Sequence, residues 1–176
     1  TKLELAKQAA VDALAQFKPD DLVGLRIFST NLRSAEPRDY VDVVPIAPIG
    51  SQRERLANAI EGLVPHEGTP LYTVAAQSYD DMKKSYEAGR INAVLLLTDG
   101  RNEDERNNDL AATLTRLRAG SEGLSSTPVR LFTIAYGRNA DQETLKRMAE
   151  ATNAAAYDAS DPQTITRVFT AVVSNF

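Results

Sequence analysis

The chain has 176 residues, of which 43% are hydrophobic and 25% charged, a composition typical of one globular domain. Its formal net charge of −4 argues against a nucleic-acid partner, and no apolar run is long enough to span a membrane. The absence of cysteine excludes disulfides, thiol nucleophiles and thiolate metal sites. With His66 as the single histidine, a bound metal would be a hard cation held by oxygen, such as Mg²⁺, Mn²⁺ or Ca²⁺.

The first third of the chain predicts a helix, two strands and a second helix. Apolar residues at helical spacing indicate an amphipathic helix over residues 3–17, followed by a mostly buried strand over 22–29. A polar loop or hairpin connection is expected at 30–39. The β-rich stretch 40–46 contains a proline, which favours an antiparallel strand at a sheet edge. Ser51, with Glu54 three residues later, predicts a capping box that opens the next helix.

The remainder of the chain alternates helices with strands. Thr69 and Pro70 are typical of a helix start, and five consecutive apolar residues within 91–98 indicate a strand buried on both faces. Residues 100–108 are the most polar stretch and predict a solvated loop or the polar start of a helix. Further predictions are a helix over 110–117, a strand over 129–137, a helix from 141, a short strand over 154–158 and a last helix from 161.

Strands that alternate with helices pair in parallel through right-handed crossovers, with helices on both faces of the sheet. The predicted fold class is therefore α/β, a doubly wound and mostly parallel sheet with one antiparallel edge strand near 40–46. No linker or repeat divides the chain, so residues 1–176 are predicted to form a single domain. The chain opens directly with a helix, whereas such a sheet normally begins with a strand.

Three loops expected at the carboxyl ends of the strands contain oxygen-bearing side chains: Ser29 with Thr30, Thr69, and Asp99. Ligand crevices of open α/β sheets lie at the carboxyl ends of the strands, and Mg²⁺ takes six oxygen ligands. These residues therefore suggest a Mg²⁺ site. From spacing alone, the simpler interpretation is favoured, in which Asp99 is a turn residue and Thr69 a helix cap.

Three stretches together resemble the von Willebrand factor type A family. They are Leu-Leu-Leu-Thr-Asp-Gly at 95–100, Gly-Thr-Pro-Leu-Tyr at 68–72 and Leu-Phe-Thr-Ile-Ala-Tyr-Gly at 131–137, and the segment 20–29 looks like the family's second strand with its lead-in. The resemblance covers essentially the entire chain and is strongest to bacterial members. It implies the Rossmann-like fold of that family.

The resemblance also implies a metal-ion-dependent adhesion site. In that family a threonine from one loop and an aspartate from another complete a site begun by an Asp-x-Ser-x-Ser motif after the first strand. Thr69 matches the threonine and Asp99 the aspartate, so these two are the predicted metal ligands, with Mg²⁺ (or Mn²⁺ or Ca²⁺) as cofactor. The motif itself has no match here. The central first strand and its serines are expected upstream of Thr1, in a larger protein of which this chain is a fragment.

The function implied is a binding module in which the metal bridges to an acidic side chain of a partner protein, and no enzymatic activity is expected. Two alternatives remain open. One is a scaffold or assembly domain that binds no metal. The other is a metal-assisted phosphoryl transferase that uses Asp99, for which His66 is the single candidate acid or base. Many bacterial relatives are exported or surface-anchored, which favours an extracytoplasmic or cell-surface location.

Overall fold

The computed structural model describes residues 1–33 and 38–174 and contains five strands and six α-helices within them. In chain order they are α1 (Lys2–Ala13), β1 (Leu22–Arg33), β2 (Arg38–Pro48), α2 (Ile49–Glu61), α3 (Leu71–Lys84), β3 (Ala93–Thr98), α4 (Leu110–Ala119), β4 (Arg130–Tyr136), α5 (Gln142–Glu150), β5 (Ala156–Ala159) and α6 (Ile165–Ser174). This is the predicted alternation. Within the described segments, no helix is both long and apolar enough to cross a bilayer.

The described residues fall into two compact units. Unit 1 takes its residues from 1–68 and 161–176 and contains α1, β1, β2, α2 and α6, while unit 2 is residues 69–160 and contains the other elements. The prediction of one domain over 1–176 stays a prediction.

Unit 1 is built on an antiparallel hairpin of β1 and β2. The strand predicted near 40–46 is present as β2, and it pairs antiparallel with β1 as expected. Arg26 lies opposite Asp42 in the register; its guanidinium forms two hydrogen bonds with that carboxylate, at 2.6 and 3.0 Å, and lies 4.3 Å from the centre of the Tyr40 ring. The strands extend into the region predicted as a loop, of which residues 34–37 lie outside the described residues.

A buried glutamine, Gln52, connects the hairpin to α2. Its side-chain amide donates hydrogen bonds to the carbonyl oxygens of Val23, Pro45 and Ala47, at 2.6, 3.0 and 3.3 Å. The backbone of Gln52 departs from helical geometry and kinks α2. The predicted capping box at Ser51 is wrong, because α2 already begins at Ile49.

Unit 2 is a three-stranded parallel sheet in the order β3-β4-β5, with helices packed against it. The α/β class with a parallel sheet is therefore confirmed. The antiparallel pair of β1 and β2 and the parallel strands β3, β4 and β5 belong to separate sheets within the described residues. Within the described ranges, no strand pairs with both β1 and β3.

Burial differs between the two most apolar strands of unit 2. All residues of β4 after its first are buried, whereas four of the six residues of β3 are only partly buried. The stretch 91–98 was predicted to be buried on both faces, and this is wrong in part. The reason is the position of β3 at the edge of the described sheet, which leaves one flank without a neighbouring strand.

Tyr79 is the largest fully buried side chain of unit 2 and ties α3 to the start of β4. Its hydroxyl donates a hydrogen bond of 3.0 Å to the carbonyl oxygen of Val129, and Gly120 leaves room for its ring. Burial, and to a smaller extent the carboxylate of Asp80, raises the pKa of Tyr79 to about 12.

We expect Tyr79→Phe to lower the free energy of unfolding at pH 7 by about 1–3 kcal/mol, because the buried carbonyl of Val129 loses its donor. The raised pKa means that the folded state holds the Tyr79 proton more tightly than the unfolded state. Its contribution to stability is therefore complete below about pH 10 and lost as the pH rises towards 12. Urea unfolding between pH 7 and 12 measures both effects. A variant with the same alkaline loss of stability as the natural chain would contradict this.

Candidate metal centre

Asp99 lies in a tight turn directly after β3. The hydroxyl of Thr98, which is buried, accepts a hydrogen bond of 3.3 Å from the backbone N–H of Gly100. This local bond turns the chain away from the sheet and leaves Asp99 exposed at the carboxyl edge of the parallel strands. The structure thus places the carboxylate where the sequence predicted it.

Thr69 is not the cap of α3. The helix begins at Leu71 and Pro70 occupies the N-cap position, so the simpler interpretation of Thr69 as a capping residue is wrong. Instead, the backbone carbonyl of Thr69 accepts hydrogen bonds from the N–H groups of Leu71 and Glu103, at 2.8 and 2.9 Å. The second of these bonds joins Thr69 to the loop that follows Asp99.

The Thr69 side chain lies close to Gly100, the residue that follows Asp99. A Cβ atom placed on Gly100 would lie only 2.7 Å from Oγ1 of Thr69, closer than real Cβ contacts come. The backbone of Gly100 is not in the left-handed region, so close approach, and not conformational freedom, is the reason for glycine here. The Thr69 hydroxyl therefore lies against the backbone of the residue next to Asp99.

The loop between β3 and α4 contains a buried carboxylate that the sequence analysis missed. Asp104 is 4% exposed, although the acidic run Glu103-Asp104-Glu105 was interpreted as solvated. One Asp104 oxygen accepts hydrogen bonds from the backbone N–H and Nε of Arg106, both at 3.0 Å, and the other accepts one from the Thr73 hydroxyl at 3.1 Å. Nothing in the spacing of this run distinguished Asp104 from its two exposed neighbours.

These contacts decide the charge state of Asp104. Burial by itself raises the pKa of its carboxyl group, but the hydrogen bonds from Arg106 and Thr73, together with the positive charge of Arg106, outweigh burial and lower the pKa below its ordinary value. Asp104 is therefore an anion at neutral pH, held inside the loop.

Tyr136 adds a further neighbour to Asp99. It ends β4 and is buried, and its pKa is raised by burial first and by the negative charge of Asp99 second. A protonated phenol thus lies within electrostatic reach of the Asp99 carboxylate.

The chemistry of Thr69 and Asp99 fits a hard cation. A hydroxyl and a carboxylate are both oxygen donors, and the contact between Gly100 and Thr69 brings the two loops together without an intervening side chain. Among the described residues, no group of three or more His, Cys, Asp or Glu side chains is placed to hold a metal ion. Thr69 and Asp99 would be two of the side-chain ligands of a shell that needs about six oxygens.

The other residues weighed from the sequence lie in unit 1. The Ser29 hydroxyl donates to the carbonyl of Glu67 at 2.6 Å, and the buried hydroxyl oxygen of Thr30 lies against Gly68 and has no hydrogen-bond partner within the described residues. Both hydroxyls thus pack one end of β1 against the loop before α3. His66 is exposed.

A model of the von Willebrand factor type A domain matches residues 1–171. The chain belongs to this family. The resemblance seen in the motifs around Thr69 and Asp99 is therefore confirmed at the level of the family, while metal binding by these residues stays a prediction.

Solved structures show the same fold at low sequence identity. A von Willebrand factor type A protein from Catenulispora acidiphila matches with a TM-score of 0.77 and 19% identity, over 98% of this chain and 37% of that one. The pilus adhesin SpaC of Lactobacillus rhamnosus GG matches with a TM-score of 0.74 and 13% identity, over 98% of this chain and 28% of that one. An aerotolerance-related membrane protein of Bacteroides fragilis matches with a TM-score of 0.67 and 14% identity, over 99% of this chain and 89% of that one. A search of curated protein sequences finds no match.

We expect Gly100→Ala to displace the Thr69 hydroxyl, because the added methyl carbon would lie only 2.7 Å from Oγ1 of Thr69. Overpacking of this kind costs about 1–3 kcal/mol of unfolding free energy, measurable by urea denaturation. Gly100→Ala combined with Thr69→Ala should recover most of that loss, since the second change removes the clashing atoms. Gly62→Ala at the end of α2 is the matched control. Equal stability of the single and double variants would contradict the contact.

We expect Asp104→Asn to lower the free energy of unfolding at pH 7 by about 1–3 kcal/mol, because an amide NH₂ cannot accept the bonds that a carboxylate oxygen accepts. The lowered pKa means that the stabilisation is complete above the unfolded-state pKa near 4 and is lost as pH falls through the folded-state value. Denaturation at pH 7 and pH 3 should show the variant closest to the natural chain at pH 3. The exposed Glu105→Gln serves as control.

Proposed function

We propose that this chain is a metal-dependent protein-binding module in which Thr69 and Asp99 hold Mg²⁺ or Mn²⁺ and an acidic side chain of a partner protein completes the coordination. The observation that supports the proposal is the close approach of the Thr69 hydroxyl to Gly100, the residue next to Asp99 in the chain. Membership of the von Willebrand factor type A family supports it.

Asp99, Thr98 and Thr69 would each have a different role in the proposed site. Asp99 is exposed at the end of β3 and offers a carboxylate to solvent, while the Thr98 hydroxyl holds the turn in which Asp99 sits. Thr69 is partly buried and adds a neutral oxygen beside it. When bound, the ion supplies positive charge and an open coordination position for a partner's carboxylate. A donor set with a single carboxylate leaves the ion with excess positive charge, which favours an anionic partner group.

A scaffold role without metal is the second candidate. It is favoured by the small donor set, since Thr69 and Asp99 are two oxygens and the described residues contain no cluster of three ligating side chains. Under this alternative the exposed loops would bind a partner directly. Enzymatic activity is not proposed.

A cell-surface role is proposed by analogy alone. SpaC, which shares the fold, is a pilus adhesin, and this chain spans 28% of its length. The partner, on this view, is a protein that presents an Asp or Glu side chain.

We expect Mn²⁺ to bind the protein with a stoichiometry of one and Asp99→Ala to abolish that binding, because the variant removes the single carboxylate of the site. Thr69→Ala should weaken binding about 10-fold or more, in the range found when metal-site groups are lost. Isothermal titration with Mn²⁺ and with Mg²⁺ measures both. Glu105→Ala is the matched control, since it removes an exposed carboxylate from the same loop and should leave binding unchanged.

The same variants separate the two candidate functions. Binding of an acidic peptide that requires Mg²⁺ and disappears with EDTA or with Asp99→Ala supports the metal-dependent module. The absence of metal binding by the natural protein would reject it in favour of the scaffold role.

A further inference from the structure

We propose that the hydroxyl group of Thr73 is the positioning group of this site: it holds the β3–α4 loop against the first turn of α3 and so sets the distance between the Thr69 hydroxyl and the Asp99 carboxylate. This inference rests on the proposed metal site. Thr73 is a positioning residue because its side chain contacts residues of the loop and would act on the ion through them.

The side-chain oxygen of Thr73 takes part in two hydrogen bonds with the β3–α4 loop. Its Oγ1 donates to Oδ2 of Asp104 and accepts from Nδ2 of Asn107, each at 3.1 Å. Asp104 is 4% exposed, so water competes little for its oxygen, and the bond to a buried anion is of the stronger, charge-assisted kind. A single hydroxyl thus connects α3 to two positions of the loop.

Two more bonds hold the same junction. The side-chain oxygen of Asn102 accepts the N–H of Tyr72 at 3.2 Å, which supplies from a distant loop the cap that Pro70 does not provide. The N–H of Glu103 donates to the carbonyl of Thr69 at 2.9 Å. We call these two bonds, together with the two bonds of Thr73, the α3 junction.

The α3 junction ends on the residues of the proposed site. One of its bonds goes to the carbonyl of Thr69 itself, and the loop it anchors begins at Asp99 and Gly100. The loop is also braced internally, since Nδ2 of Asn102 donates to the carbonyl of Asn107 at 2.9 Å. Loss of the Thr73 hydroxyl therefore removes the hydrogen bonds that join α3 to Asp104 and Asn107 and loosens the segment that carries Asp99.

Loosely positioned ligands should lower the affinity for Mg²⁺ more than the affinity for Ca²⁺. Mg²⁺ requires near-ideal octahedral geometry at about 2.0–2.1 Å, whereas Ca²⁺ accepts about 6–8 oxygens at 2.3–2.6 Å in flexible arrangements. A positioning group should therefore control the preference for Mg²⁺ over Ca²⁺, while a residue that only stabilises the fold should change the two affinities by the same factor.

The test compares Thr73→Val with Thr73→Ser in the complete protein. Valine keeps the shape and removes the hydroxyl, whereas serine keeps the hydroxyl and both of its bonds. Mg²⁺ and Ca²⁺ titrations by calorimetry should show a Mg²⁺ affinity about 10-fold lower in Thr73→Val, the lower end of the range for residues that support metal ligands, with a Ca²⁺ affinity changed by less than about 2-fold. Thr73→Ser should keep the natural ratio.

A second readout uses no metal. Amide hydrogen exchange at Tyr72 and Glu103 should accelerate in Thr73→Val and not in Thr73→Ser, because both N–H groups donate across the α3 junction. Should Thr73→Val fail to fold, Asn107→Ala removes one of the two bonds of Thr73 and should lower the Mg²⁺ to Ca²⁺ ratio by a smaller factor.

The outcomes separate the two proposals. Metal binding by the natural protein with an unchanged Mg²⁺ to Ca²⁺ ratio in Thr73→Val overturns the role of Thr73 and leaves the proposed function standing. Equal losses for both ions overturn it as well, since they indicate a structural effect. A natural protein that binds neither ion overturns the proposed function and, with it, this inference.

Discussion

The junction between the first turn of α3 and the β3–α4 loop is the constraint on which the candidate site depends. Thr69 and Asp99 lie thirty residues apart in the chain. Backbone and side-chain hydrogen bonds between the two segments, above all those of Thr73 with Asp104 and Asn107, keep the segments together. An ionised carboxylate inside this junction makes it strong, because a buried anion must keep its donors.

The sheet that supports this junction is most completely buried at β4. Its side chains after the first are enclosed, while β3, which carries Asp99 at its end, is partly exposed along most of its length. The hydrogen bond from the Tyr79 hydroxyl to the carbonyl oxygen of Val129 connects α3 to the start of β4. The most completely buried strand of unit 2 thus lies next to the strand that carries Asp99. Asp99 itself lies at the carboxyl edge of the sheet, an arrangement common to α/β folds.

The errors of the sequence analysis have one physical origin. Ser51 and Thr69 both stand where a helix cap is expected, yet α2 begins at Ile49 and α3 at Leu71, because contacts to other segments decided where each helix starts. Asp104 sits between two exposed acidic residues and is itself buried, because its partner Thr73 is thirty-one positions away in the chain. Local patterns contain no record of such distant partners.

The sequence by itself determined the alternation of helices and strands, the antiparallel edge strand and the family, and it singled out Thr69 and Asp99 as candidate ligands. These follow from the hydrophobic period, the placement of proline and short motifs, all of which are local properties of the chain. Tertiary structure decided which strand is most buried, that β1 and β3 lie in separate sheets, and that Gly100 must be glycine to admit Thr69. It also revealed Asp104 and Thr73 as partners. These depend on which distant segments come into contact, and burial and hydrogen bonding exist only once they do.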